Sequence, residues 1–155
     1  MKTIVEKIKD LLLKKGKTVS TAESITAGHL QTQLASISGA SDFFHGGMTA
    51  YQRSVKVEML GVENERAKAT DCVDEEIARQ MARGARILFQ TDYAIATCGY
   101  AEHEAHQPYA FFAIADATGT LDFSMRINLT GNRIEAQQQA ARLALEQFEK
   151  LLRHP

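Results

Sequence analysis

A serine, a tyrosine and a lysine carry the chemical interest of this 155-residue chain. Ser24 lies in Thr21-Ala22-Glu23-Ser24-Ile25-Thr26-Ala27-Gly28. Tyr51 closes Gly46-Gly47-Met48-Thr49-Ala50-Tyr51, and Lys56 follows it. A serine hydroxyl is a weak nucleophile until a base takes its proton, and a desolvated lysine is such a base. Free lysine titrates near ~10.4 and is protonated at neutral pH, so Lys56 must be buried or set beside a positive charge to act. The set reads as a serine–lysine hydrolase centre with Tyr51 assisting. Each member also has an ordinary reading. Ser24 can be a helix N-cap, Tyr51 a strand-end core residue with its hydroxyl at the rim, and Lys56 a solvated side chain on a short helix.

The elements that must position these residues are legible in the pattern. Ile4, Val5, Ile8, Leu11 and Leu12 make an amphipathic helix that should end near Gly16, where a residue without Cβ suits a left-handed cap. A short strand around Val19 leads into Ser24. A helix is expected from about Thr26, with Leu30, Leu34 and Ile37 on one side. Residues 43–51 read as a strand whose Gly46-Gly47 pair marks close approach by backbone or ligand. A short helix over 54–60 stops at Gly61. Asp74 is a plausible N-cap for a helix reaching about Phe89, with Glu75 and Glu76 at its positive end. Residues 92–98 and 109–115 are buried-strand candidates. Leu121, Phe123, Met125, Ile127 and Leu129 alternate with polar residues, which gives a half-buried strand. Ala117-Thr118-Gly119-Thr120 joins the last two strands as an antiparallel hairpin. A final helix is expected over 133–153. The economical architecture is a three-layer α/β/α fold around a mixed, mainly parallel sheet with that late hairpin.

Composition narrows the class. Hydrophobic residues make up 45% and charged residues 24%, as in a globular protein, and residues 1–155 are expected to form one domain. A net charge of −1 gives neither a basic field for nucleic acid nor a polybasic membrane patch. No segment approaches the roughly 20 apolar residues of a membrane span, and the charged N-terminal helix is no signal peptide. A cytoplasmic location is expected, with Cys72 and Cys98 as free thiols. His103-x-x-His106 beside Glu102 and Glu104 is a metal-type spacing, but in an irregular loop it is expected to be solvated, and no metal or cofactor is expected. Cys98, at an apolar strand end, reads as a small buried residue.

Ala22-Glu23-Ser24-Ile25-Thr26-Ala27-Gly28, Gly39-Ala40-Ser41, Gly46-Gly47, Tyr51, Lys56 and Leu60-Gly61-Val62 together resemble the C-terminal domain family of the competence/damage-inducible protein CinA. That family has an Ala-Glu-Ser-Cys-Thr-Gly-Gly turn, a Gly-Ala-Ser, a Gly-Gly strand ending in Tyr, and a Lys before Leu-Gly-Val. It includes stand-alone nicotinamide-nucleotide amidases. The resemblance implies hydrolysis of the carboxamide of nicotinamide mononucleotide to nicotinate mononucleotide and ammonia. It implies Ser24 as nucleophile, Lys56 as general base and Tyr51 as its assistant. Thr26, Gly28, Gly47, Thr97 and Gly99 then fall among the expected substrate-binding positions. Arg133 is a candidate phosphate contact because a guanidinium binds phosphate bidentately. The free N–H groups of the helix after Ser24 are expected to hold an oxyanion or a phosphate. The expected partner is a small pyridine nucleotide, with a homo-oligomer left open.

The chain departs from the family pattern in two places. Ile25 and Ala27 replace Cys and Gly in the serine turn. Where the family has Thr-Gly-Ile-Ala-Gly-Pro and a glycine-rich loop, this chain reads Cys98-Gly99-Tyr100-Ala101-Glu102-His103 and continues into a shorter, acidic loop. An acidic loop over the site would oppose an anionic nucleotide. A catalytically degraded relative that binds a ligand or partner in the same pocket is therefore the alternative to a working amidase.

Overall fold

The computed structural model describes residues 1–154. In chain order the elements are α1 (Ile4–Lys15), β1 (Val19–Glu23), α2 (His29–Ala35), a single 3-10 turn (Ala40–Asp42), β2 (Phe44–Thr49), α3 (Arg53–Leu60), α4 (Asn64–Thr70), α5 (Glu75–Phe89), β3 (Tyr93–Tyr100), β4 (Tyr109–Asp116), β5 (Asp122–Asn128) and α6 (Arg133–Arg153).

The helix ends follow from their capping residues. Thr3 accepts from the Glu6 N–H at the start of α1, and Gly16 closes it in a left-handed conformation. Asp74 accepts from the Glu76 and Ile77 N–H groups and starts α5. Asn132 and Glu135 form a reciprocal capping box at the start of α6.

The five strands form one sheet in the order β2-β1-β3-β4-β5. β1 pairs in parallel with β2 and with β3, and every residue of β1 is buried. β3–β4 and β4–β5 are antiparallel. The mixed sheet and its late hairpin are as expected from the sequence, and the antiparallel part extends one strand earlier than that hairpin. The consequence is geometric. The carboxyl ends of β2, β1 and β3 open on one edge of the sheet. The register Tyr100↔Tyr109↔Asn128 brings the end of β5, and with it the start of α6, to that same edge.

Helices cover both faces. On one side α1, α2 and α6 bury Ile8, Leu12, Leu30, Leu34, Leu145 and Phe148 against Ile95, Phe112 and Ile114. On the other, Leu60, Ile77, Met81 and Ala82 pack against the small side chains of Ala94, Ala96 and Ala113. These apolar clusters supply the main driving force for the layered arrangement.

Two elements differ from the sequence expectation. α2 starts at His29 rather than near Thr26, because residues 25–28 form turns in which Ala27 and Gly28 have φ of 46° and 98°. α4 was not anticipated, since Asn-Glu-Arg-Ala-Lys-Ala-Thr carries only Ala67 as a buried residue. No helix among the described residues is long and apolar enough to cross a membrane.

Candidate active site

The turn after β1 is organised by a carboxylate. Glu23 is fully buried at the last position of the strand. Its Oε1 accepts from the Thr26 hydroxyl at 2.7 Å, the Gly28 N–H at 3.1 Å and the Leu30 N–H at 2.8 Å, and its Oε2 accepts from the Gln31 N–H at 3.0 Å. A helix start leaves N–H groups without partners and favours negative charge. Here the chain's own side chain satisfies both demands. Those N–H groups were expected to hold an oxyanion or a phosphate, and the structure corrects this because Glu23 already occupies them.

Lys56 projects from α3 into the space below Ser24. Its Nζ donates to Ser24 Oγ at 3.1 Å and to the Tyr51 carbonyl oxygen at 2.8 Å. The residue is only 1% exposed, and desolvation lowers its pKa from the usual lysine value. Ser24 and Lys56 therefore meet the first requirement of a nucleophile–base pair, which is hydrogen-bond reach. The Tyr51 hydroxyl points elsewhere, accepting from Arg133 Nη2 at 2.7 Å. Lys56 is thus contacted by the Tyr51 main chain, whereas the phenol joins the rim with its side chain half in solvent.

These groups border a cavity of about 300 Å³. Ser24, Ile25, Tyr51 and Lys56 form one side, and Gly99, Tyr100 and Ala101 from the end of β3 form another. Arg53, Asp71, Cys72, Arg133 and Gln137 complete the mouth. Asp71 and Cys72 both adopt left-handed backbone conformations, with φ of 53° and 61°, and the Tyr100 hydroxyl donates to Asp71 Oδ2 at 3.0 Å. Two consecutive non-glycine residues in that region are uncommon, and such backbone outliers cluster at functional sites. Burial, then the Asp71 carboxylate, pushes the Tyr100 phenol up to about 12. Burial pushes the Cys98 thiol to about 12, and its Sγ–H donates to the Asp74 carbonyl at 3.6 Å.

Not all the expected site residues reach this cavity. Ser24, Lys56, Tyr51, Gly99 and Arg133 line it. Thr26 and Thr97, expected to bind substrate, are 0% and 1% exposed and face each other behind the serine turn, with 2.8 Å between their hydroxyl oxygens. Gly28, also expected there, spends its N–H on Glu23. Its left-handed φ serves the turn, and a Cβ at Gly28 would meet nothing within 4 Å, so it does not mark a close approach. Gly47 instead gives room to the Thr21 and Gln31 side chains against β2. Gly99 allows β4 to lie close, since a Cβ there would come within 2.5 Å of the Tyr109 carbonyl oxygen.

The 102–107 loop lies beside the cavity mouth. Glu102 accepts from Arg133 Nη1 at 3.3 Å. His103 and His106 stack on each other at 3.8 Å, edge-on to Tyr100. Their Nδ1 atoms meet the Ala105 N–H and the Gln107 carbonyl. Among the described residues no three His, Cys, Asp or Glu side chains converge as metal ligands would. Glu23, Asp71 and Tyr100 were not anticipated as parts of the site. For Glu23 the available signal was an acid at the end of a short strand, directly before the serine.

Comparison with known proteins places the chain in a family by sequence and by fold. A "CinA-like protein" of Rippkaea orientalis is 33% identical over 97% of the chain, which spans 38% of that protein. "Protein MG115" of Mycoplasma genitalium is 37% identical, over 96% of the chain and 94% of its own length. The chain thus spans well under half of some curated relatives and nearly all of another. Among solved structures, a CinA superfamily protein from Klebsiella pneumoniae superposes with a TM-score of 0.91 at 27% identity, covering 98% of this chain and 97% of that one. The competence/damage-inducible protein CihA from Agrobacterium tumefaciens gives a TM-score of 0.87 at 28% identity, covering 99% and 100%. The family model described as the CinA C-terminal domain matches residues 1–152, and the chain belongs to the CinA C-terminal domain family.

Proposed function

We propose that this chain is a carboxamide hydrolase of the serine–lysine type, converting nicotinamide mononucleotide to nicotinate mononucleotide and ammonia. The observation that carries the reading is the 3.1 Å contact between Ser24 Oγ and the Nζ of a lysine buried in the wall of a ligand-sized cavity. A volume of about 300 Å³ is at the small end of ligand pockets and suits a mononucleotide better than a dinucleotide.

The steps follow from the groups present. Neutral Lys56 keeps one N–H on the Tyr51 carbonyl and turns its lone pair to the Ser24 hydroxyl. Ser24 Oγ attacks the carboxamide carbon as Lys56 takes its proton. The resulting ammonium returns that proton to the amide nitrogen, the C–N bond breaks and ammonia leaves, with the acyl group esterified to Ser24. Water then attacks the ester, its proton passes to Lys56, and Ser24 departs as the hydroxyl with that proton. Arg133 and Arg53 at the mouth attract the phosphate, and the Asp71 carboxylate faces the positively charged ring.

The Glu102–Arg133 contact favours a second reading. An anionic ligand must displace that carboxylate, which suits a degraded relative that binds without turnover. One assay separates the two. Purified protein is incubated with nicotinamide mononucleotide while ammonia and nicotinate mononucleotide are followed, with Ser24→Ala and Lys56→Ala alongside. The hydrolase reading expects turnover in the parent and none in either variant. Binding without turnover in the parent would favour the second reading.

A further inference from the structure

Behind the serine turn lies a chain of buried hydrogen bonds whose direction is fixed by counting protons. The Glu23 carboxylate only accepts, so the Thr26 hydroxyl spends its one proton on Oε1 at 2.7 Å. The contact between the Thr26 and Thr97 hydroxyls at 2.8 Å must then be donated by Thr97. The Thr97 oxygen is left as an acceptor, and it receives the Ser24 N–H at 3.3 Å. Glu23, Thr26 and Thr97 are all buried, and none of them lines the cavity.

We infer that Glu23, Thr26 and Thr97 are positioning residues that fix the main chain of Ser24. Glu23 closes the start of α2 from within and sets the 25–28 turn. Thr26 orients the Thr97 hydroxyl, and Thr97 pins the Ser24 N–H to the neighbouring strand β3. The relay ties β1, the serine turn and β3 together at Ser24, where a shift in the main chain would carry Oγ away from Lys56. Its catalytic consequence rests on the reading of Ser24 as nucleophile; its structural part does not.

The relay should respond differently to two substitutions of nearly equal size. Thr97→Val removes the acceptor of the Ser24 N–H and the proton given to Thr26. Thr97→Ser retains both. With nicotinamide mononucleotide as substrate, Thr97→Val lowers kcat on the order of 10- to 100-fold, because small misplacements of a reacting group have effects of that size. KM changes by less than about twofold, since no contact to substrate is lost. Thr97→Ser restores kcat to within about threefold of the parent under the same logic. Glu23→Gln, which sets an amide N–H against main-chain donors, loses more than Thr97→Val does.

A second measurement does not need turnover. Amide hydrogen exchange at Ser24, followed by NMR, is protected in the parent and in Thr97→Ser and faster in Thr97→Val, while exchange in β4 stays unchanged. If Thr97→Val keeps parental kcat and Ser24 protection, the positioning role is wrong. A KM that rises in step with the loss of rate, or a Thr97→Ser as impaired as Thr97→Val, also overturns it, because Thr97 would then act on the substrate or through its methyl packing. If the parent turns nothing over, the hydrolase reading fails separately and the exchange measurement alone decides whether the relay holds Ser24.

Discussion

Lys56 Nζ stands between two oxygens, Ser24 Oγ at 3.1 Å and the Tyr51 carbonyl at 2.8 Å. The second contact matters as much as the first. A neutral amine has two hydrogens and one lone pair. Anchoring one hydrogen on a main-chain carbonyl leaves the lone pair free to face the serine. Tyr51 therefore orients the base through its main chain, and substitution of its side chain acts elsewhere. Tyr51→Phe keeps the carbonyl and removes the hydroxyl that accepts from Arg133. Its expected effect is a weaker KM for an anionic substrate, with the pH dependence of kcat unchanged. A displaced pH limb would show that the phenol takes part in proton transfer.

Activity should rise with pH as Lys56 loses its proton, with the limb below the ~10.4 of free lysine because desolvation lowers its pKa. The thiols of Cys72 and Cys98 and the carboxylate of Asp71 oppose that shift. Both thiols are themselves raised, which leaves the Asp71 side chain as the member of this group to test. Asp71→Asn is then expected to move the limb to lower pH by a fraction of a unit, modest because Asp71 is exposed and screened. A limb that moves upward, or not at all, would remove Asp71 from the electrostatics of the base.

Burial of the same lysine predicts a stability signature independent of any substrate. With the folded pKa below the unfolded one, the unfolded chain binds more protons between the two values. Stability must therefore rise with pH across that window and level off above about 10.4. Lys56→Met lacks the titrating group. The stability difference, parent minus Lys56→Met, should increase between neutral pH and about pH 10, as measured by urea unfolding at a series of pH values. A flat or falling difference would mean that the lysine is solvated in the folded state.

The two cysteines should separate cleanly by reactivity. The thiolate is the reactive form, and access decides the rest. Cys98 is 1% exposed with its thiol held up at about 12, so it should label only on unfolding. Cys72 is half-buried at the cavity. Burial raises its thiol too, so it should label slowly but in the native state. Modification at Cys72 should slow in the presence of nicotinamide mononucleotide, read by mass spectrometry of the labelled peptides. Equal labelling of both positions in the folded protein would contradict the packing of β3 against α5.

Legibility in the sequence followed the range of the interactions. Helix ends were readable because a cap is local: Gly16, Gly61, Asp74 and the hairpin at 117–120 all announce themselves in a few residues. The location of the site was readable because Ser24, Tyr51 and Lys56 each follow a parallel strand, and parallel neighbours bring their carboxyl ends together. The pairing of β3 with β4 was not, since strands buried on both faces carry no alternation to fix direction. Nor was the inward turn of Glu23. An acid beside a serine reads as a capping or salt-bridging residue, and only the tertiary fold shows four donors converging on it. Thr26 and Thr97 were misplaced for the same reason: a threonine near a nucleophile looks the same in sequence whether it faces the ligand or the core.

Gly47 illustrates a packing constraint that is tested in pairs. It sits on the edge strand opposite Thr21, and a Cβ at that position would overlap Thr21 Oγ1 and crowd the Gln31 side chain. Thr21 Oγ1 is itself buried without a hydrogen-bond partner among the described residues. A residue that leaves a polar atom unpaired adds little stability through that atom, so removing it should be tolerated. Gly47→Ala alone is expected to cost about 1–3 kcal/mol, the range for overpacking a filled core. Thr21→Ala opens the space into which the new methyl would project, and the long Gln31 side chain can swing aside. In the Thr21→Ala background the Gly47→Ala penalty should shrink by about 1 kcal/mol or more, a coupling characteristic of residues in direct contact. Urea unfolding of the four proteins in the cycle measures it. Strict additivity would show that the glycine is required by the strand backbone, not by its neighbour.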